Sequence, residues 1–261
     1  MVTLLAALVF IVNPAHAQQQ YNSVYLEDLT WPEVRDYLRL GYTTIIVPTG
    51  GTEQNGPHLA LGKHNAIVRF TAGEIARELG NALVAPVIAY VPEGRIYPPE
   101  GNMRFPGTIS VSDEALAGVL DGAARSFKQH GFINIIFIGD HGGSQHAMQH
   151  VATNLSAEWQ TIPNQVLYIS NYYDDNGQKG WAASEGIGGN IQAHAAFADT
   201  SELLATDTRL VRRHLIKPYS FNDAKSFGVA GNPSKASASY GVQLLRLKVN
   251  AAVNQIKAMV K

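Results

Sequence analysis

The chain has no cysteine, so disulfides, thiolate metal sites and cysteine nucleophiles are all excluded. It also lacks a surplus of either charge, with 20 Lys+Arg against 21 Asp+Glu and a formal net charge of −1. A nucleic-acid binder needs a clustered excess of basic residues to neutralise phosphates, and that class is set aside. Charged residues make up only 16% of the chain against 46% hydrophobic, which argues against disorder and for a large core. No apolar run reaches the roughly 18–20 residues that a membrane-spanning helix needs.

What is present begins with Met1 to Ala17, MVTLLAALVFIVNPAHA. An apolar run from Val2 to Val12 leads through Asn13-Pro14 to Ala15-His16-Ala17, the small-x-small form of a signal-peptidase site. The basic residues that normally open such a leader are missing. The expectation is a signal peptide over 1–17, a single domain over 18–261, and an exported protein, periplasmic or secreted.

Apolar, β-branched runs alternate with helical periodicity along the rest. Strands are expected at 43–48, 82–90, 133–139 and 165–170, and helices at 31–40, 65–79, 112–130, 145–159, 201–213 and 236–259. The strands are apolar throughout, which points to an α/β fold with a mostly parallel sheet covered on both faces. Ligands in such folds sit beyond the carboxyl ends of the strands. Loops 49–65, 140–146 and 174–200 are therefore the expected site loops.

Those loops concentrate metal-ligand residue types. One holds Glu53, His58 and His64, another Asp140 and His141, a third His194 and Asp199. Imidazole and carboxylate together suit zinc, manganese or iron. His146 and His150 share a helix face at i, i+4, but no Glu lies between them to act as base, so they read as ordinary helix positions.

Several segments together resemble the creatininase family of metal-dependent amidohydrolases. Glu53 to His64 follows a motif of the form Glu-Gln-His-Gly-Pro-His-Leu-Pro-Leu-Gly-x-Asp, and Phe105-Pro106-Gly107-Thr108 its Phe-Pro-Gly-Thr segment. His130-Gly131-Phe132 and Asp140-His141-Gly142-Gly143 resemble a His-Gly-Phe…Asn-Gly-His-Gly-Gly-Asn block. His194 to Ser201 is similar to His-Ala-Gly-x-x-Glu-Thr-Ser, and Gly228 to Gly241 to the family's ending. The resemblance runs from about residue 25 to 257. It implies a three-layer α/β/α fold, a homo-oligomer (a hexamer) and a two-metal centre.

The departures alter that last implication. Glu53 and His141 are kept, but Asn55 replaces a metal-binding His and His64 replaces the bridging Asp. Asp199 stands for a Glu, and Ser144 for an Asn. An imidazole offers one lone pair to one metal, so the bridge is lost. What remains is Glu53, His64 and His141, the ligand set of single-zinc hydrolases and of facial-triad iron oxygenases.

The leading expectation is an amidohydrolase of a small cyclic amide, or of an amide- or lactone-like bond, with one Zn2+ per chain (Mn2+ second). Asp199 is the candidate base and His194 the candidate acid or oxyanion donor. His58, Trp181 and Tyr173 (with Tyr172) are candidates for facing a small-molecule substrate. The alternative is a non-catalytic exported protein that keeps the fold to bind a small ligand or a metal.

Overall fold

The computed structural model describes residues 23–219 and 224–260. The expected leader, 1–17, lies outside the described residues. Twelve helices and strands carry the argument: α1 (Trp31–Arg39), β1 (Thr44–Thr49), α2 (Lys63–Leu79), β2 (Ala82–Val84), α3 (Asp113–His130) and β3 (Asn134–Gly139) come first. They are followed by α4 (Gln145–Glu158), β4 (Gln165–Tyr168), α5 (Gln178–Ser184), α6 (Phe197–Thr206), α7 (Ala224–Phe227) and α8 (Ala238–Met259).

The four strands form one parallel sheet in the order β2-β1-β3-β4. β1 (TIIVPT) and β3 (NIIFIG) are buried at every position, as the uninterrupted apolar runs require of strands covered on both faces. Alternate side chains divide between two layers. Ile45, Val47, Ile135 and Phe137 pack with Leu116, Leu120, Met148 and Val151 of α3 and α4. Ile46, Ile136 and Ile138 pack on the other face with Val68 and Ile75 of α2 and with Val249, Val253 and Ile256 of α8. This is the expected three-layer α/β/α arrangement.

Local chemistry sets the boundaries. Thr30 and Glu33 form a capping box at the start of α1. Ser112 caps α3 by accepting from Ala115 N, and Ser237 caps α8 by accepting from Tyr240 N. Gly131 ends α3 in a left-handed conformation, φ 103°.

Two expected elements differ. The strand expected over 82–90 pairs regularly only through Val84, because Pro86 offers no N–H to a ladder. Beyond it the chain touches β1 through a single bridge, Thr49 with Ile88, and Val91 bridges to Ser110 outside the sheet. The helix expected over 201–213 occupies Phe197–Thr206 instead. Asp207 halts it by accepting from Arg209 N, which opens a 3-10 turn over Thr208–Leu210.

Helix α8 crosses α6 so closely that a Cβ at Gly241 would lie 1.9 Å from Ser201 O. Gly241→Ala gains about 1 kcal/mol of helix propensity but meets backbone that cannot yield. The expected result is a net loss of about 1–3 kcal/mol in urea unfolding; unchanged or raised stability would show that the two helices separate freely.

Candidate metal centre

The site lies beyond the carboxyl ends of β1 and β3. Glu53 follows β1 in loop 50–62, His64 sits in the first turn of α2, and His141 follows β3. Two hydrogen bonds lock these loops together: Gly51 N donates to Asn65 Oδ1 at 3.0 Å, and Thr49 Oγ1 to Ser144 Oγ at 2.9 Å. Gly143 lets the second loop turn under its neighbours, since a Cβ there would sit 2.0 Å from Pro92 O. Its backbone nitrogen lies 3.1 Å from His141 Nδ1, which leaves Nε2 facing the carboxylates.

One ligand atom each from Glu53, His64 and His141 lies within 4.8 Å of the others. His64 Nε2 is 2.8 Å from Glu53 Oε1, and His141 Nε2 is 3.4 Å from Glu53 Oε2. Behind His64, Asp140 Oδ2 takes the Nδ1 proton at 2.7 Å. A carboxylate on the far nitrogen fixes the orientation of the ring and aims Nε2 at the cluster, as at many histidine metal sites. Asp140 is itself held by Lys248 Nζ at 2.7 Å and by the Tyr172 hydroxyl at 3.1 Å; Lys248 reaches on to Glu202 at 2.9 Å.

The electrostatics favour a cation. Burial opposes ionisation of Glu53, but hydrogen bonds from His141 and His64 outweigh it and hold the carboxyl well below the usual range. Burial likewise opposes Asp140, and Lys248 with His64 outweighs it. Burial also works against a charge on His141, but hydrogen bonds to Glu53 and Glu93 push the imidazole up to about 9. The donor set, an ionised carboxylate and two imidazoles of which one is backed by a carboxylate, fits a divalent ion of the zinc or manganese type.

The other sequence candidates separate into two groups. His194, Asp199 and Tyr173 line a cavity of about 420 Å³ whose lining also includes Lys63, His64, Asp140 and His141. Asp199 Oδ2 is committed to Lys63 Nζ at 2.5 Å and Ala195 N at 2.8 Å; burial opposes its charge, and Lys63 keeps its pKa below the ordinary value. His194 Nε2 lies 2.9 Å from Gln54 O, and burial favours the neutral ring. Burial, with Asp199 nearby, pushes the Tyr173 phenol up to about 12, so it remains a donor.

His58 and Trp181 are not among the residues lining this cavity. His58 is fully enclosed, 3.0 Å from Thr200 Oγ1, and burial drives its pKa down to about 4; it braces the loop against α6. Trp181 packs edge-on against Tyr240 at 5.8 Å. Tyr172 is buried beneath the site, bonded to Thr71 and Asp140. His146 and His150 stack on the outside of α4. Asn55 turns its amide onto loop backbone, Glu53 O at 2.9 Å.

Sequence reasoning missed Glu93, Asn102, Lys63 and Lys248. Glu93 Oε2 is 3.0 Å from His141 Nε2, its Oε1 is buried without a partner, and burial raises its pKa. Asn102 donates to Glu53 and, at 3.4 Å, to Glu93. The available signal was length: the segment between β2 and α3 is long, rich in glycine and proline and poor in regular structure, which is typical of functional loops.

Comparison with known proteins gives a consistent set. The family model described as creatininase, creatinine amidohydrolase, matches residues 27–256. The mycofactocin precursor peptide peptidase of Mycolicibacterium smegmatis is 28% identical over 225 residues, 82% of this chain and 84% of that protein. The creatinine amidohydrolase of Pseudomonas putida is 28% identical over 119 residues, 46% of this chain and 45% of that one. A 3-dehydro-scyllo-inosose hydrolase of Thermotoga maritima is 27% identical over 150 residues, 58% of this chain and 45% of that one. Among solved structures, a creatinine amidohydrolase (creatininase) superposes with a TM-score of 0.73 at 21% identity, covering 92% of this chain and 99% of that one.

An ion bound through His141 Nε2 must displace the proton held there by Glu53 and Glu93. Metal affinity should therefore rise with pH, by about tenfold per unit below about 9, for one displaced proton. Calorimetric titration at several pH values checks this, and a flat profile would contradict it. Asp140→Asn should weaken metal binding by roughly 10–100-fold in folded protein; unchanged affinity would show that His64 needs no backing.

Proposed function

The chain belongs to the creatininase family, and from that premise we propose that it is a hydrolase of a small, polar cyclic amide or a related amide- or lactone-like bond, working with one metal ion. Hydrolase chemistry is common to the named relatives. The observation that carries this reading is the Glu53–His64–His141 cluster, whose two histidines line a polar cavity. Zn2+ is the first choice, because two imidazoles and a carboxylate leave an open position in its tetrahedral shell; Mn2+ is the second.

When bound, the ion would supply Lewis acidity, activating water and polarising the scissile carbonyl. The chain's residues perform the remaining work. Glu53 and His64 present fixed donors, and Asp140 keeps the His64 proton on the side away from the cavity. Tyr173, which keeps its proton far above neutral pH, is placed to donate to a substrate oxygen. His194 is the candidate proton donor to the leaving nitrogen or to the oxyanion, a role in which its Nε2 proton would leave Gln54 O. Asp199 was the candidate base. Lys63 and Ala195 N engage its Oδ2 and Lys63 holds it ionised, so Oδ1 is the oxygen that a base role would use.

The cavity wall supports a polar substrate. Asn176, Gln178, Asn190 and Gln192 bring amides to it, and Lys179 a charge. A volume of about 420 Å³ suits a small molecule. Export rests on Ala15-His16-Ala17, and a single domain over 18–261 on the continuity of the motifs. Homo-oligomerisation, as a hexamer, rests on the family resemblance. Among the described residues no helix is long and apolar enough to cross a membrane.

Elemental analysis should give one zinc or manganese per chain. Hydrolysis across a panel of small cyclic amides and lactones should fall at least 100-fold after chelation and return when metal is restored. Turnover that survives chelation would overturn the metal-dependent reading. A tightly held metal with no turnover on any member would favour the ligand-binding alternative.

A further inference from the structure

Lys63 opens α2 beside His64, and none of its side chain reaches solvent. A buried ammonium costs several kcal/mol unless it is paired, so its partners define why it is there. Its Nζ lies 2.5 Å from Asp199 Oδ2 and 3.9 Å from Glu53 Oε1. His194 Nδ1 approaches that same Glu53 oxygen at 3.6 Å. Two carboxylates thus flank the ammonium, with His194 beside one of them, next to the Glu53–His64–His141 cluster. Carboxylates are donors that bind a divalent ion, and the place between these two is filled by a lysine.

We propose that Lys63 is a resident cation: its ammonium occupies a second cation site beside the metal centre and thereby restricts the protein to one exchangeable ion. The inference rests on the one-ion reading above. The ammonium does what a second ion would do for charge, since it pairs with Asp199 and adds to the field that keeps Glu53 ionised. It differs in chemistry. It carries a single charge, cannot dissociate, and is a donor rather than an acceptor of lone pairs. Glu53 is consequently free to serve the single ion held with His64 and His141.

The test counts metals. Wild-type protein, Lys63→Ala, Lys63→Gln, Lys63→Arg and the double variant Lys63→Ala/Asp199→Asn are titrated with zinc and with manganese, and bound metal is measured after gel filtration. The expected counts are one per chain for wild type and Lys63→Arg, rising toward two in Lys63→Ala. The double variant, which loses a donor, should return to one. Far-ultraviolet circular dichroism establishes which variants are folded. If Lys63→Ala unfolds, Lys63→Gln, one atom shorter, removes the charge and retains an amide donor to fill the space; it should then take up a second ion, more weakly. A count of one in folded Lys63→Ala and Lys63→Gln at saturating metal overturns the inference and leaves the one-ion reading standing. Two ions in the wild type defeat the one-ion reading itself.

Discussion

A single buried carboxylate, Asp140, joins the parts of the molecule that make the site. It sits where β3 ends and takes a proton from His64 of α2, an ammonium hydrogen from Lys248 of α8 and a hydroxyl hydrogen from Tyr172 beyond β4. A charge so enclosed is tolerable only with all its partners, and removing one partner of such a pair commonly costs about 3–5 kcal/mol. The candidate ligand His64 is therefore oriented by contacts that the whole α/β/α fold must bring together. Lys248 is itself held by Glu202, whose carboxyl also accepts from Gln178. The polar chain so formed runs from the metal centre to the wall of the cavity.

Asp140 also explains a departure that looked like loss. In the motif that Glu53 to His64 resembles, the last position is Asp, and in the block that Asp140-His141 resembles the residue before the His is Gly. Here an imidazole has entered the first position and a carboxylate the second, and the structure puts them 2.7 Å apart. The carboxylate has moved from the position expected to bridge two metals to a position behind one ligand. The two substitutions act as a unit, because an unsupported His64 would lack a fixed tautomer. Lys63, beside it, brings positive charge to the carboxylates that remain.

Much of this was legible from residue order. β1 and β3 announced themselves as unbroken apolar runs, and placing ligands at their carboxyl ends follows from parallel-sheet geometry. Glu53 and His141 lie in loops attached to those strands and His64 in the first turn of the helix after β1, so the triad could be picked out from local motifs. Glu93 could not. It sits in an irregular, glycine- and proline-rich segment with no period to set its orientation. Lys63 occupies a position that the motif leaves open, and nothing in its neighbours signals a buried ammonium. Lys248 reads as one more polar position on an amphipathic helix; only the crossing of α8 over the sheet brings it to Asp140, 108 residues away. His58 and Trp181 fall outside the lining of the cavity, because membership of a motif or a loop does not say which side of the backbone faces it.

The central claim is that one divalent ion is held by Glu53, His64 and His141 in front of Asp140. Diffraction at the zinc absorption edge, from crystals grown with excess zinc, tests it most directly. The account predicts a single anomalous peak per site, bounded by a Glu53 oxygen and by Nε2 of both histidines, with no second peak beside the Lys63 ammonium. A pair of peaks less than about 4 Å apart, or a single peak that leaves His64 uncoordinated, would contradict it.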